Sequence, residues 1–194
     1  MNVMKDKPTT QTRSIRLTTL KQLKVYMDPV RQQILRTMEI LAVSVTAKKL
    51  ADKMGITPSS AKHHLTQLER IGLVCVDHTE QIHGITAVFY RVLPAEVSIG
   101  MNVEAHVEER SVIAENQIAS VFSRFSSKAK AYPESAENEP FAGDMHTGVL
   151  HLTQREADEL YRMVRAYIRG HETPRENTIP FEFAMILYNA KDEV

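Results

Sequence analysis

Residues 46–73, TAKKLADKMGITPSSAKHHLTQLERIGL, constrain this chain more than any other stretch. They read as two short helices joined by a tight turn. The first carries Ala47, Leu50, Ala51 and Met54 at helical spacing. Gly55 suits the turn, because a residue without a Cβ takes positive φ at no steric cost. Ile56 fills the gap between the helices. Thr57 is an N-cap, and Pro58 sits at the first helical position, where its missing N–H costs nothing. The second helix buries Ala61, Leu65 and Leu68, spaced i, i+4, i+7, and Gly72 closes it. Small Ala51 allows the close crossing that a helix-turn-helix needs.

The outer face of the second helix carries Ser59, Ser60, Lys62, His63, Thr66 and Gln67. All six can hydrogen-bond and none is acidic. Gln and Lys reach base edges; Ser and Thr reach bases or phosphates. The bland alternative is a plain helical hairpin inside a larger core. Downstream, Leu73–Val76 reads as a short strand, His78–Thr86 as a polar loop with Gly84, and Val88–Val92 as a second strand. Together they form a β-hairpin wing with Thr79, Gln81, His83 and Thr86 near its tip. Arg91 is its one positive charge, opposed by Asp77 and Glu80, so a modest contribution to affinity is expected.

Upstream, Asp28-Pro29 starts a helix through Val30, Ile34, Leu35, Met38 and Leu41. An earlier helix is expected over Thr19–Met27, with Leu20, Leu23 and Val25 inward. Asp28-Pro29-Val30-Arg31, Leu50-Ala51, His64-Leu65 and Gly72-Leu73-Val74 stand in the order and spacing of a known pattern. Over residues 17 to 93 the chain resembles the ArsR-type winged helix-turn-helix transcription regulators. The resemblance implies a dimeric DNA-binding repressor or activator, often switched by a ligand. It carries over no metal site, because the family's best-known metal sensors use a Cys-x-Cys pair on the scaffold helix, and that helix has no cysteine here.

Cys75 is the only cysteine, so no intrachain disulfide can form; it is most simply a small buried core residue, and the count fits a reducing cytoplasm. No apolar run approaches the ~20 residues that span a bilayer. The first sixteen residues lack the apolar core of a secretory signal and read as a flexible arm. Net charge is zero but unevenly placed. Residues 1 to 100 hold 14 Lys and Arg against 8 Asp and Glu; residues 101 to 194 hold 10 against 16. The +6 half contains the helix-turn-helix, which assigns phosphate contact to it and another task to the −6 half.

The second half begins with a long helix, read over Val97–Phe125, with Val103, Val107, Ile113, Ile118, Val121, Phe122 and Phe125 apolar. Pairing with its own copy in a two-fold dimer, or packing on the C-terminal segment, would cover it. A Ser-, Pro- and Glu-rich loop follows. Thr147–Leu152 reads as a strand, Thr153 and Glu156 as a capping box for a helix to about Gly170, and Ile179–Tyr188 as a final strand. The expected fold is therefore α+β, mainly α. Its parts are an arm over 1–16, a winged domain over 17–96, a linking and dimerisation helix over 97–126, a loop over 127–146 and a β-α-β unit over 147–194. That unit either completes a dimer core or holds a small-molecule effector among Met145, His146, His151, Tyr161, Tyr167 and Phe183. A metal-responsive variant would combine His146 and His151 with His106 and Glu109, although strand parity separates the first two. The His63-His64 pair cannot chelate jointly, since helix neighbours diverge; His64 reads as half-buried and His63 as outward.

No phosphate loop, serine elbow or histidine-glutamate motif is present, so no enzyme and no cofactor is expected. The expected function is that of a cytoplasmic, homodimeric transcription regulator binding double-stranded DNA, with no membrane role. The competing reading is a winged helix used for protein contacts, which would favour aromatic and aliphatic anchors on the outer helix face.

Overall fold

The computed structural model describes residues 13–17, 19–93, 95–98, 106–131 and 143–191. Two compact units divide the chain, Met1–Arg110 and Ser111–Val194.

In the first unit the order is β1 (Arg13–Arg16), α1 (Leu20–Met27), α2 (Pro29–Leu41), β2 (Val45–Thr46), α3 (Ala47–Met54), α4 (Pro58–Arg70), β3 (Val74–Ile82), β4 (Ile85–Val92) and β5 (Ala95–Ser98). Local chemistry sets the helix ends. Thr19, Asp28, Thr46 and Thr57 each accept a backbone N–H three residues on, at the four N-termini. At the end of α4, Gly72 takes φ +78°, its N–H donates to the carbonyl of Glu69, and the Leu73 N–H donates to that of Leu68. This is a Schellman closure, and it turns the chain directly into β3.

Ile34, Leu35, Met38, Val45, Leu50, Ala51, Ala61, Leu65, Leu68, Leu73, Val74 and Tyr90 form one buried cluster. Burying a large aliphatic side chain contributes about 1.5–3 kcal/mol, so this cluster fixes how α2, α3 and α4 cross. The wing sheet runs β2-β4-β3, all antiparallel. Its third strand, β2, is only two residues long and has no signal of its own in the sequence. β3 and β4 pair as far as Ile82↔Ile85, leaving only His83 and Gly84 as the loop, at φ +49° and +79°. Two positive φ values make the primed turn whose twist matches the strands. The span expected as a polar loop is therefore mostly strand. Its side chains lie in water on both faces, so no apolar alternation marks it. Cys75 is half-buried rather than fully inside.

Residues 13–16 of the expected arm form β1, which pairs in parallel with β5; residues 1–12 lie outside the described residues. The expected start of the long helix is likewise corrected. Val97 lies in β5, and the helix α5 spans Val107–Lys130. A parallel pairing partner some eighty positions away is invisible to local pattern. Val103 and the rest of 99–105 lie outside the described residues. α5 continues into the segment expected as loop, because Lys128, Ala129 and Lys130 are good helix formers and cations suit a helix C-terminus; 132–142 lie outside the described residues. Arg110 near the start of α5 is 1% exposed, and its Nη2 donates to the carbonyl of Leu17 at 3.1 Å.

In the second unit, α6 spans Gln154–Arg169 with the capping box of Thr153 and Glu156 in place. The β-α-β expectation fails around it. Residues 143–153 and 178–190 form no strand, and the apolar Val149, Leu150, Ile179, Phe181 and Phe183 are exposed. Alternating apolar residues specify a strand only when a neighbouring strand takes up the backbone groups, and none does so among the described residues. Within this unit Arg124 holds Glu182 through two hydrogen bonds, 2.9 and 2.6 Å.

Candidate nucleic-acid interface

The outer face of α4 is placed by its inner one. With Ala61, Leu65 and Leu68 fully buried, residues half a turn away must face out. Ser59, Lys62 and His63 are exposed; Ser60, Thr66 and Gln67 are half-exposed. Thr66 Oγ1 donates to the Lys62 carbonyl at 3.0 Å, which leaves its lone pairs as the outward function. The Ser60 N–H is held by the Thr57 cap at 3.1 Å. On the wing, Thr79, Gln81, His83 and Thr86 are all exposed, and Gln81 donates to the Thr86 hydroxyl at 2.8 Å across the last rungs before the turn. The ten residues thus fall into two groups, six on one helix and four at one hairpin end.

Three cations join the first group that the motif alone did not single out. Arg70 is exposed and stands seven residues after His63, hence on the same face. Lys21 and Lys24 of α1 line an open groove of about 440 Å³ together with Leu20, Val25, Arg31, His63 and Gln67. The sequence signal for Arg70 was available in the helical period. The signal for the two lysines was not, because it depends on how α1 packs beside α4.

Behind the face lies a coupling of three side chains. Asp28 caps α2 and pairs with Arg31, 3.3 Å. The Arg31 guanidinium also donates to the carbonyls of Val25 and Lys24, satisfying the end of α1. Its Nη1 lies 3.4 Å from His64 Nδ1, and Asp28 Oδ1 lies 4.0 Å from the same nitrogen. Arginine can only donate, so His64 presents a lone pair at Nδ1. Desolvation holds His64 below the ordinary imidazole value; Asp28 opposes this, and Arg31 and His63 add to it. His64 is therefore a neutral scaffold residue that ties α4 to the α1–α2 corner, while His63 faces outward.

The wing has its own anchor. Asp77 is the extra residue of a bulge between Val76 and His78. It accepts from Ser44 at 2.7 Å, lies 2.8 Å from His78 Nδ1, and pairs with Arg91 at 3.1 Å. The Ser44 hydroxyl, then His78, pull the Asp77 carboxyl below its usual range. The hydrogen bond to Asp77 correspondingly raises His78, which also stacks on Phe89 at 4.4 Å. Arg91, the wing's one positive charge, is thus held by Asp77.

Residues 26–76 match the family model of a helix-turn-helix domain. The match spans α2, β2, α3 and α4 and ends at the start of β3. No curated protein matches the chain. The helix-turn-helix lies in the N-terminal part of a mixed α and β, mainly helical chain.

Of the six residues proposed for an effector pocket, Met145 is 55%, Tyr161 46%, Tyr167 69% and Phe183 60% exposed, and His146 lies 3.0 Å from Asp144. His106 approaches Glu109 at 3.9 Å. Among the described residues no three His, Cys, Asp or Glu side chains gather as metal ligands, and no helix is long and apolar enough to cross a membrane.

Proposed function

We propose that this protein is a sequence-specific, double-stranded DNA-binding transcription regulator of winged-helix type that works as a homodimer. The observation that carries the reading is the chemistry of one surface. Ser59, Ser60, Lys62, His63, Thr66, Gln67 and Arg70 share the outward side of α4, where the exposed carboxylate, Glu69, is confined to the last turn beside Arg70. Beside them lie Lys21 and Lys24.

The division of labour follows from reach. Ser60, Lys62, His63 and Gln67 meet base edges or their immediate surroundings in the major groove. Ser59, Thr66, Arg70, Lys21 and Lys24 hold phosphates and fix register. The wing, with Arg91 neutralised by Asp77, contributes Thr79, Gln81, His83 and Thr86 as polar contacts. Two copies would set recognition helices in successive major grooves, about 34 Å apart, on a near-palindromic site. Apolar Val107, Val112, Ile118 and Phe122 of α5 are exposed, which supports self-association through the acidic half.

The test separates the two kinds of contact. Gln67→Ala should relax base preference at one position, whereas Lys21→Ala with Lys24→Ala should weaken binding to all duplexes alike and flatten its salt dependence. Equal loss on every sequence for Gln67→Ala would make it a phosphate ligand. An unchanged salt slope for the double lysine variant would remove α1 from the interface.

A further inference from the structure

Residues 178–190, TIPFEFAMILYNA, are exposed without a break. Among the described residues no backbone hydrogen bond ties 183–187 to another segment. Both faces of the run are apolar: Phe183, Met185 and Leu187 alternate with Ala184 and Ile186. Ile186 is 65% and Leu187 41% exposed, so both faces stand in water. A segment apolar on both sides reads as a strand inside a sheet. Sheet edges that stay open carry lysines, bulges or inward charges. Residues 183–188 carry no charge at all, so nothing there guards the edge against pairing.

Two residues choose how it pairs. In a strand, the N–H and C=O of alternate residues point to one edge. Pro180 has no N–H, so the edge it shares with 182, 184 and 186 lacks a donor. The edge of Phe183, Met185 and Leu187 is complete. Glu182 is the one charged residue between 178 and 190. A parallel copy in register would set Glu182 beside Glu182, like against like. An antiparallel copy centred on Ala184 keeps the two glutamates four positions, about 14 Å, apart. Each then lies opposite Ile186, with its carboxylate held by Arg124 of its own chain. One edge meeting itself about a two-fold axis is its own complement, which makes a second copy the occupant that fits.

We infer that residues 181–187 pair antiparallel with the same residues of a second copy of this chain, through the edge of Phe183, Met185 and Leu187 and centred on Ala184. Phe183 of each copy exchanges both backbone bonds with Met185 of the other. This rests on the homodimer proposed above and names its joining strand. The assay contains no DNA, so loss of pairing and loss of DNA recognition are told apart.

The test is sedimentation and light scattering of the full chain, with cross-linking in a Cys75→Ser background. Met185→Pro removes a central donor and should raise the dimer dissociation constant at least tenfold while the helical circular dichroism signal stays. Met185→Leu should leave association near that of the parent. Ala184 faces its own copy with Cα atoms about 4.5 Å apart, within reach of a disulfide. Ala184→Cys should therefore cross-link between copies under oxidation, and Ile186→Cys, about 14 Å from its copy, should not. The Phe183 and Met185 amides should resist hydrogen exchange in the dimer and lose that protection on dilution. Equal cross-linking at both positions would overturn the antiparallel register. A monomeric parent, a dimer indifferent to Met185→Pro, or amide protection that survives dilution to monomer would overturn the pairing itself.

Discussion

Two amphipathic helices in this chain are built on the same plan and are covered to different degrees. α4 and α6 both begin at a threonine cap and both carry a regular apolar stripe. The stripe of α4 is sealed: Ala61, Leu65 and Leu68 have no accessible surface. That of α6 is only partly covered: Ala157, Leu160, Val164 and Ile168 are half-buried and Tyr161 is exposed. A helical period therefore reports that an apolar face exists, and says nothing of what covers it. For α4 the cover is local, supplied by α2, α3 and the root of the wing. Its outer face is consequently fixed in direction, which is what a reading surface requires.

The sharpest way to break this contrast is to cut one side chain from each stripe. Leu65→Ala should cost about 2–5 kcal/mol in chemical denaturation, the range for a large aliphatic residue removed from a sealed core. Tyr161→Ala, measured on dilute monomer, should stay within about 0.5 kcal/mol, as for surface positions. Equal losses at both would mean that Tyr161 is sealed as fully as Leu65.

Next in size is the corner that aims α4. Arg31→Ala strips the carbonyls of Lys24 and Val25 of their guanidinium donor and the Asp28 carboxylate of its ion-pair partner. A loss of about 1–3 kcal/mol in the same assay is expected for groups left unsatisfied. Arg31→Lys should recover little, since one ammonium cannot reproduce the guanidinium fork. A silent Arg31→Ala would remove the corner from the account.

On the functional side, Gln67→Ala should lower discrimination by about 1–3 kcal/mol at one base position in competition binding. Arg70→Ala should reduce the slope of log affinity against log salt by about 0.9, one phosphate contact. A slope unchanged by the second substitution would move Arg70 off the phosphate list.

The smallest effects divide the two histidines by sign. His64 sits below its ordinary value of 6.5 in the folded chain, so the unfolded chain binds more protons just below pH 6.5. Stability should fall as pH drops from 6.5 through the folded pKa, and His64→Gln should remove that fall. His78 sits above 6.5, so its contribution is complete below 6.5 and lost as pH climbs through the raised value. His78→Gln should remove that second decline. Parallel behaviour of the two variants would contradict the environments described for them.

What could be read in the sequence follows the same line between local and distant cover. The helix-turn-helix was legible because Thr57, Pro58, Gly55 and Gly72 act on their own neighbours, and because the i, i+4, i+7 spacing of Ala61, Leu65 and Leu68 needed only one side to pack. The half-buried place of His64 was legible for the same reason. The β1–β5 pairing was not, since its partners lie far apart in sequence and neither strand carries a turn signal. The wing's true length was hidden because both faces of its outer half are wet. In the C-terminal unit, alternation at Ile179–Tyr188 suggested a strand, but alternation describes a face and supplies no partner. Lys21 and Lys24 became visible beside Gln67 only when α1 was placed against α4.

The most direct measurement is selection of bound duplexes from a random pool by the full chain, repeated at two salt concentrations. The account predicts recovered sequences with two related half-sites about one helical turn apart, and a preference over random competitor that persists as salt lowers overall affinity. Recovery of sequences no better than random competitor at either salt would contradict a reading surface on α4.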